Sequence, residues 1–389
     1  MVPTGRLRFH MLFLLLAAAP AGGVPVCSSA AGADQVAIRR DGKMLEVEGR
    51  ILLTAQDGGI LLLARDGVLW NILPEEQVRQ TQDKTEFRAY TPQEMSKRVL
   101  AELPGGFNVY PTAHYLIFYD TSRVYAQWCG SLFERLYGAF RNAWSHRGFE
   151  PNEPEFPLVA VIFADKRSYA KFSEKALGEA GEAIVGYFNL VTNRMIMCDL
   201  TGAGGAARAG HASTAAQINQ VLSAPDATQT VATIVHEATH QIAFNCGLNV
   251  RLSDCPLWLS EGIAMYFETP DLHSAKGWAG VGAVNRSRLA QLHAYLPKRP
   301  SDSLKTLLAT DRRFRDVKQS LDAYAEAWAM VYFLLHQHPK EFVEYLKLVA
   351  SKQPLVLDGP DGRLAEFEKV FGPWKRLDAE FLRFITRVR

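Results

Sequence analysis

The most constraining feature of the sequence is an H-E-x-x-H motif followed by a glutamate in a second apolar segment. The histidines are His236 and His240 in "VHEATHQIAFN", and the acid is Glu261 in "PLWLSEGIAMYFE". Residues four apart project from the same face of a helix, one turn from each other. Two imidazoles placed in this way can both bind one ion at about 2.0–2.1 Å. The spacing therefore predicts two metal ligands on one helix.

A third ligand is expected from the next predicted helix. A catalytic zinc site needs three protein ligands and an open fourth position, and Glu261 can supply the third ligand. Glu237 lies roughly a third of a turn from His236, too displaced to bind the metal, but it can take a proton from a metal-bound water. An ionisable trio on apolar helices is costly to bury without a partner. We therefore predict one zinc ion per chain.

The N-terminal segment is typical of a secretory signal peptide covering residues 1–33. Two arginines precede an apolar core at residues 11–19, which is too short to span a bilayer, and Ala31–Ala33 fits an A-x-A cleavage site. We expect an exported protein, either periplasmic or extracellular. The alternative is a lipoprotein with Cys27 as the lipidated residue, although "VPVC" matches the expected small-residue run poorly.

The charge balance bears on the partners of the chain. The 389 residues include 43 basic and 41 acidic side chains, and cleavage would remove Arg6 and Arg8, leaving 41 of each. A neutral chain has no electrostatic footprint for nucleic acid or anionic lipid, so nucleic-acid binding is disfavoured. No later stretch approaches the roughly 18 uninterrupted apolar residues of a spanning helix, so no transmembrane segment is expected.

Three regions are expected after the signal peptide. Residues 35–75 alternate short apolar runs with three Asp-Gly turns, which predicts a small β-module, a barrel or a sandwich. Residues 76–106 are polar and predict a linker with a short helix near "TPQEMSKRVLAEL". From residue 107 to 389, strands come first and helices follow, with a hairpin turn at Thr192–Asn193. This order predicts an α+β fold with a mixed sheet, an active-site helix and a helical C-terminal part.

Four cysteines follow the signal peptide, namely Cys129, Cys198, Cys246 and Cys255. An even number in an exported chain permits disulfides. Cys246 and Cys255 flank a short loop between the two predicted ligand helices, so they are the pair that we expect to be joined. Their spacing lacks the C-x-x-C hooks of a structural zinc site.

The motif resembles that of the gluzincin zinc metallopeptidases, in which H-E-x-x-H precedes a downstream Glu, often within W-x-x-E-G. The segment from about residue 107 to 389 most resembles a bacterial family of exported gluzincin-like proteins of undetermined function. The resemblance implies that His236, His240 and Glu261 bind zinc and that Glu237 is the general base. It also implies a peptide or protein as the substrate.

Two further positions follow from this resemblance. Many gluzincins stabilise the oxyanion with a Tyr or His from a downstream helix, which implies Tyr324, with Tyr332 and His336 as alternatives; Tyr324 is equally plausible as an aromatic core residue. In several gluzincins an acid four residues after the ligand Glu orients a metal-binding histidine. Here that position is Met265. The orienting group must therefore be Glu268 or a backbone carbonyl.

Two functions are consistent with these patterns. The first is a secreted zinc peptidase that hydrolyses peptide bonds through a zinc-activated water. The second is a catalytically inactive, metal-stabilised binding or scaffold protein of the cell envelope. The intact Glu237 favours the peptidase, because a purely structural zinc has no use for a general base.

Overall fold

The structure, a computed structural model, describes residues 32–201, 214–222, 224, 227–269 and 280–389. Residues 1–31, which hold nearly all of the predicted signal peptide, lie outside the described residues. The chain forms two compact units, one built from the described residues up to Gly130 with Pro154–Ile218, the other from Ser131–Glu153 with Asn219–Arg389. Among the described helices, none is long and apolar enough to cross a membrane.

The first sheet of the first unit is antiparallel and has five strands. They are β1 (Gly32–Arg40), β2 (Lys43–Thr54), β3 (Ile60–Ala64), β4 (Leu69–Ile72) and β5 (Gln77–Glu86), in the order β4-β3-β2-β1-β5. The first predicted Asp-Gly turn is confirmed, because Asp41 and Gly42 both have positive φ, as the tight turn between β1 and β2 requires. The β-module, expected as a barrel or a sandwich, is thus one sheet with β4 and β5 at its ends.

Strand β5 lies in the segment that the sequence assigns to a linker. It pairs with β1 over a register that runs from Gly32↔Glu86 to Ile38↔Gln77. Its sequence, QVRQTQDKTE, is polar because β5 is an edge strand with mostly exposed side chains, where charged residues are favoured. Such a strand lacks the apolar alternation that reveals half-buried strands. The short helix expected in this segment is confirmed as α1 (Pro92–Glu102).

The second sheet of the first unit is mixed, as expected. Its strands are β6 (Asn108–Pro111), β7 (Tyr115–Tyr119), β8 (Leu158–Phe163), β9 (Gly186–Asn189) and β10 (Arg194–Cys198), in the order β6-β7-β8-β10-β9. Strands β7, β8 and β10 are parallel to one another and buried along their whole length, which explains why their sequences are apolar apart from Arg194 at the start of β10. The hairpin turn is confirmed by the positive φ of Asn193.

The other regular elements of the described chain are helices, so the predicted α+β class is confirmed. They are α2 (Arg123–Ser145), α3 (Lys166–Leu177), α4 (Ala215–Leu222), α5 (Thr228–Asn245), α6 (Leu257–Phe267), α7 (Arg286–Tyr295), α8 (Ser303–Ala309), α9 (Arg312–Arg315), α10 (Ser320–Gln337), α11 (Pro339–Ala350), α12 (Pro360–Phe371) and α13 (Trp374–Ile385). Every residue of α6 is buried, as is almost all of α10. These two helices form the centre of the second unit.

Helices α6 and α10 approach closely because Gly262 has no side chain. A Cβ atom at this position would lie 2.5 Å from Val331 Cγ2 and 2.7 Å from the carbonyl oxygen of Ala327. The backbone oxygen cannot move without displacing α10. The glycine of the L-S-E-G sequence therefore sets the distance between the helix that carries Glu261 and the helix that carries Tyr324.

We predict that Gly262→Ala destabilises the protein. The added methyl group forces apart two packed helices, and overpacking of this kind lowers the free energy of unfolding by about 1–3 kcal/mol. Gly138→Ala is the matched control, because it lies in helix α2 and nothing approaches its Cβ position within 4 Å. It should raise stability by up to ~1 kcal/mol through helix propensity. Urea unfolding followed by tryptophan fluorescence checks both, and equal stabilities would contradict the packing argument.

Candidate metal centre

Helices α5 and α6 bring the three predicted ligands together. His236 Nε2 lies 3.0 Å from Glu261 Oε2 and 3.1 Å from His240 Nε2. His240 Nε2 lies 3.4 Å from Glu261 Oε1. Ligand atoms bound at about 2.0–2.1 Å around one tetrahedral ion are about 3.3–3.4 Å apart. The spacing of these nitrogen and oxygen atoms therefore fits a single metal ion.

Burial supports the same conclusion. The exposed fractions of His236, His240 and Glu261 are 6%, 2% and 0%. Among the described residues, only His240 Nε2 approaches Glu261 Oε1, at 3.4 Å and without good hydrogen-bond geometry, and a buried carboxylate oxygen that is poorly satisfied costs free energy. A cation at this point would remove the cost. Within the described part of the chain, this trio is the one cluster of three or more His, Cys, Asp or Glu side chains placed to hold a metal ion.

The electrostatics of the cluster favour a cation. Burial alone would lower the pKa of His236, but its hydrogen bonds with Glu261 and Glu268 outweigh burial and raise the pKa to about 10. Burial alone would raise the pKa of Glu261, but the charge of His240 and the hydrogen bond with His236 bring it down to about 2. The metal-free cluster thus places an imidazolium between ionised carboxylates. A bound metal ion would replace the imidazolium proton as the positive charge between these carboxylates.

Glu268 orients His236, which settles the choice left open by Met265. Glu268 Oε2 lies 2.9 Å from His236 Nδ1, so the Nε2 atom is directed at the other two ligands. The second oxygen, Oε1, accepts hydrogen bonds from Asn285 Nδ2 at 2.8 Å and Arg288 Nε at 3.2 Å. A carboxylate behind a ligating histidine fixes its tautomer and raises its basicity. Glu268 can do this because it lies two helical turns after Glu261, on the same face.

Asn285 and Arg288 are the residues of this network that the sequence analysis missed. Asn285 directly precedes α7 and Arg288 lies in its first turn, in "NRSRLAQ", a stretch without any recognisable motif. Asn285 also caps α7, since its Oδ1 accepts from the backbone N–H of Arg288. The Asn cap marks the helix start, but nothing local indicates that its amide also contacts Glu268. Only the tertiary fold reveals that contact.

Glu237 and Tyr324 are both buried beside this centre. Their exposed fractions are 2% and 7%. Burial raises the pKa of Tyr324 well above its usual value, and the negative charges of Glu261 and Glu237 add to this effect, while Arg288 opposes it. The Arg288 guanidinium also lies 5.7 Å from the centre of the Tyr324 ring. The phenol is therefore within the electrostatic field of both acids.

The alternatives to Tyr324 lie in a different environment. Tyr332 and His336 pack their rings together with centroids 4.1 Å apart, and both contact the ring of Phe384. His336 Nδ1 is bonded to the backbone oxygen of Tyr332. These contacts describe an aromatic cluster at the C-terminal half of α10, two turns and more beyond Tyr324.

The structure does not join Cys246 and Cys255. Both are free thiols, and burial raises the pKa of each to about 12, which makes them poor nucleophiles. Cys255 Sγ lies 3.5 Å from Asn249 Oδ1, whereas Cys246 lies in the field of Arg141 and Glu153. The two thiols face different surroundings, so the short loop between them does not bring them together. Cys129 and Cys198 are also free and buried.

We predict that Glu268→Gln weakens metal binding. The neutral amide no longer raises the basicity of the ligating imidazole of His236, and loss of such an orienting carboxylate typically lowers metal affinity 10- to 100-fold. Glu380→Gln is the control, because Glu380 pairs with His338, a histidine outside the cluster. Competition titration against a chromophoric chelator measures both. The role assigned to Glu268 would be refuted by equal affinities.

Comparison with known families adds one match. The family described as "Protein of unknown function (DUF1570)" matches residues 230–356, a segment that contains all three metal-ligand candidates, Glu237 and Tyr324. No curated protein matches the chain. The match and the buried His-His-Glu cluster are compatible with a metal-dependent protein.

Proposed function

We propose that the protein is a zinc-dependent peptidase. The observation that carries the proposal is Glu237, a buried carboxylate on α5 directly after His236, whose negative charge acts on Tyr324 together with that of Glu261. A site that only stabilises the fold has no use for an acid that does not bind the metal. A hydrolytic site needs such an acid as its general base.

The ligand set supports zinc. Structural zinc sites are closed by four protein ligands, often cysteines, whereas catalytic sites have three and leave the fourth position for water or substrate. The cluster has two imidazoles and one carboxylate among the described residues, and none of the four cysteines described belongs to it. This is the composition of a hydrolytic zinc site.

The chain's own residues supply the remaining chemistry. When bound, zinc lowers the pKa of a coordinated water towards about 7 and polarises the carbonyl of the substrate. Glu237 accepts a proton from the attacking water and returns it to the leaving amine. Tyr324 keeps its proton at neutral pH because its pKa is raised, so its hydroxyl donates a hydrogen bond to the developing oxyanion.

A peptide bond is the substrate that this arrangement suits. An amine is a poor leaving group unless it is protonated, and Glu237 can provide that proton after the attack. The resemblance of "HEATH" and "LWLSEG" to the gluzincin signature supports the same choice. We propose that residues 107–389 form the catalytic region, that residues 35–75 with the following segment form an accessory module, and that the protein acts after export.

The second candidate function is a metal-stabilised binding or scaffold protein. The observation that favours it is burial, because the three ligands and Glu237 have exposed fractions of 6% or less. A site that never admits a substrate has no need for exposure. The peptidase and the scaffold differ in one respect that can be measured, namely hydrolysis that depends on Glu237.

We expect Glu237→Gln to keep the metal and lose hydrolysis. Elemental analysis of both proteins should give about one zinc per chain, and the rate of peptide-library cleavage should fall by roughly 10²- to 10⁴-fold in the variant, the usual contribution of a general base. Glu261→Ala is the complementary control and should lose most of its zinc. If the rates of cleavage by wild type and Glu237→Gln are the same for every peptide, the result would favour the scaffold function.

We expect Tyr324→Phe to lower kcat and leave zinc content unchanged. Removal of one oxyanion donor typically costs about 10²- to 10³-fold in kcat. Tyr332→Phe is the matched control on the same helix, and its kcat should stay within about twofold of wild type because Tyr332 lies in the aromatic cluster. Steady-state kinetics on the best library peptide measures both, and the assignment fails if the two variants lose activity equally.

A further inference from the structure

The loop that joins the two ligand helices contains a buried charge. Residues 246–256 connect α5, with its two histidines, to α6, with Glu261. Asp254 in this loop has an exposed fraction of only 2%. The guanidinium of Arg363, in α12, holds it through two hydrogen bonds, from Nε at 2.9 Å and from Nη2 at 2.5 Å. This fork geometry fixes the orientation of both groups.

Helix α6 is capped by a residue from elsewhere in the chain. Its N-cap position is Pro256, whose side chain makes no capping hydrogen bond. The backbone N–H of Leu257 donates instead to Asp311 Oδ1, at 3.1 Å. A carboxylate at a helix N-terminus satisfies a free N–H and complements the helix dipole. Asp311 therefore fixes the point at which α6 begins.

Arg363 connects these two features. Besides its fork to Asp254, its Nη1 donates to Asp311 Oδ1 at 2.9 Å and its Nη2 to Asp311 Oδ2 at 3.3 Å. Its side chain is only 11% exposed. One guanidinium thus holds both the loop before α6 and the cap of α6. Glu261 lies one helical turn after Leu257, so the placement of this cap determines where the carboxylate meets the two histidines.

We propose that Arg363 is a positioning residue for the metal centre, acting through Asp311 and Asp254 on Glu261; this rests on the metal site that the proposed function requires. A lysine cannot substitute, because an ammonium is a point charge without the rigid fork that spans two carboxylates. Lys352 does not replace Arg363 at Asp254, because its Nζ lies 3.8 Å from that carboxylate and its closer contacts are with Asp358 and Glu366, both at 2.8 Å.

The loop has a second anchor, which makes the proposal testable in a folded protein. The backbone N–H of Leu355 donates to the carbonyl oxygen of Leu252 at 2.8 Å. This contact does not involve Arg363. In Arg363→Lys the loop should therefore stay folded, and only the exact position at which it leads into α6 should change. Arg299→Lys is a matched control, because Arg299 is 5% exposed and also bridges two carboxylates, Glu326 and Asp378, away from the loop.

The test is Co²⁺ binding by wild type, Arg363→Lys and Arg299→Lys, followed through the visible absorption of the bound ion and through competition titration. We expect Arg363→Lys to bind Co²⁺ about tenfold or more weakly, the lower end of the range for outer partners of metal ligands, with an altered spectrum. Arg299→Lys should show a comparable loss in Tm with affinity within about twofold of wild type and an unchanged spectrum. Equal Co²⁺ affinities in the two variants would overturn the proposal.

Amide hydrogen exchange provides a readout that needs neither metal nor activity. In metal-free Arg363→Lys the peptide containing Leu257 should exchange faster than in Arg299→Lys, and unchanged protection would overturn the proposal.

If Arg363→Lys does not fold, Asp311→Asn replaces it in both measurements. This variant keeps the capping oxygen but loses the charge that holds Arg363. It must weaken Co²⁺ binding for the proposal to stand. Wild type that binds Co²⁺ but cleaves no peptide would end the peptidase proposal and leave this one intact. Wild type that binds no metal would overturn both.

Discussion

The buried carboxylate of Glu261 is the interaction on which the centre of the second unit depends. It is fully buried on a helix whose other residues are all buried too, so water cannot stabilise its charge. An ionised carboxylate in such a place is tolerated only with a compensating charge. His236 and His240 converge on it for this reason, and the close crossing at Gly262 keeps α6 in position. The arrangement of the two imidazoles around the Glu261 carboxylate is therefore suitable for binding a metal ion and also neutralises the charge of that carboxylate.

The same rule extends outward through the second unit. Glu268 takes its compensation from Arg288, and Glu326, which is fully buried, is held by Arg299 and Arg313. Each of these acids has an arginine within hydrogen-bond distance. Glu261 differs from them, because only imidazoles reach it among the described residues, and an imidazole is a metal ligand when it is neutral. This difference distinguishes the candidate metal centre from the structural ion pairs around it.

The sequence predicted most of the ligand geometry and of the sheet that precedes it. Spacing of four residues places His236 and His240 on one helix face, whatever the tertiary structure, and continuous apolar runs identify buried parallel strands such as β8. What failed were features decided by long-range contacts. Strand β5 is polar because it is an edge strand, so its sequence is that of a linker. The Cys246–Cys255 pairing followed from loop length alone, which does not determine where two side chains point. Glu268 was one of two options until the fold placed it against His236.

The proposed peptidase function gives different roles to two acids, Glu261 on α6 and Glu237 on α5. Arg288 compensates Glu268, while the negative charges of Glu261 and Glu237 both act on Tyr324. Of these two acids, Glu261 is the proposed metal ligand. Glu237 is the proposed general base, and protonation would lower its charge as negative charge develops on the substrate carbonyl. A general base so placed keeps the local charge nearly constant through the reaction, which a low-dielectric site favours.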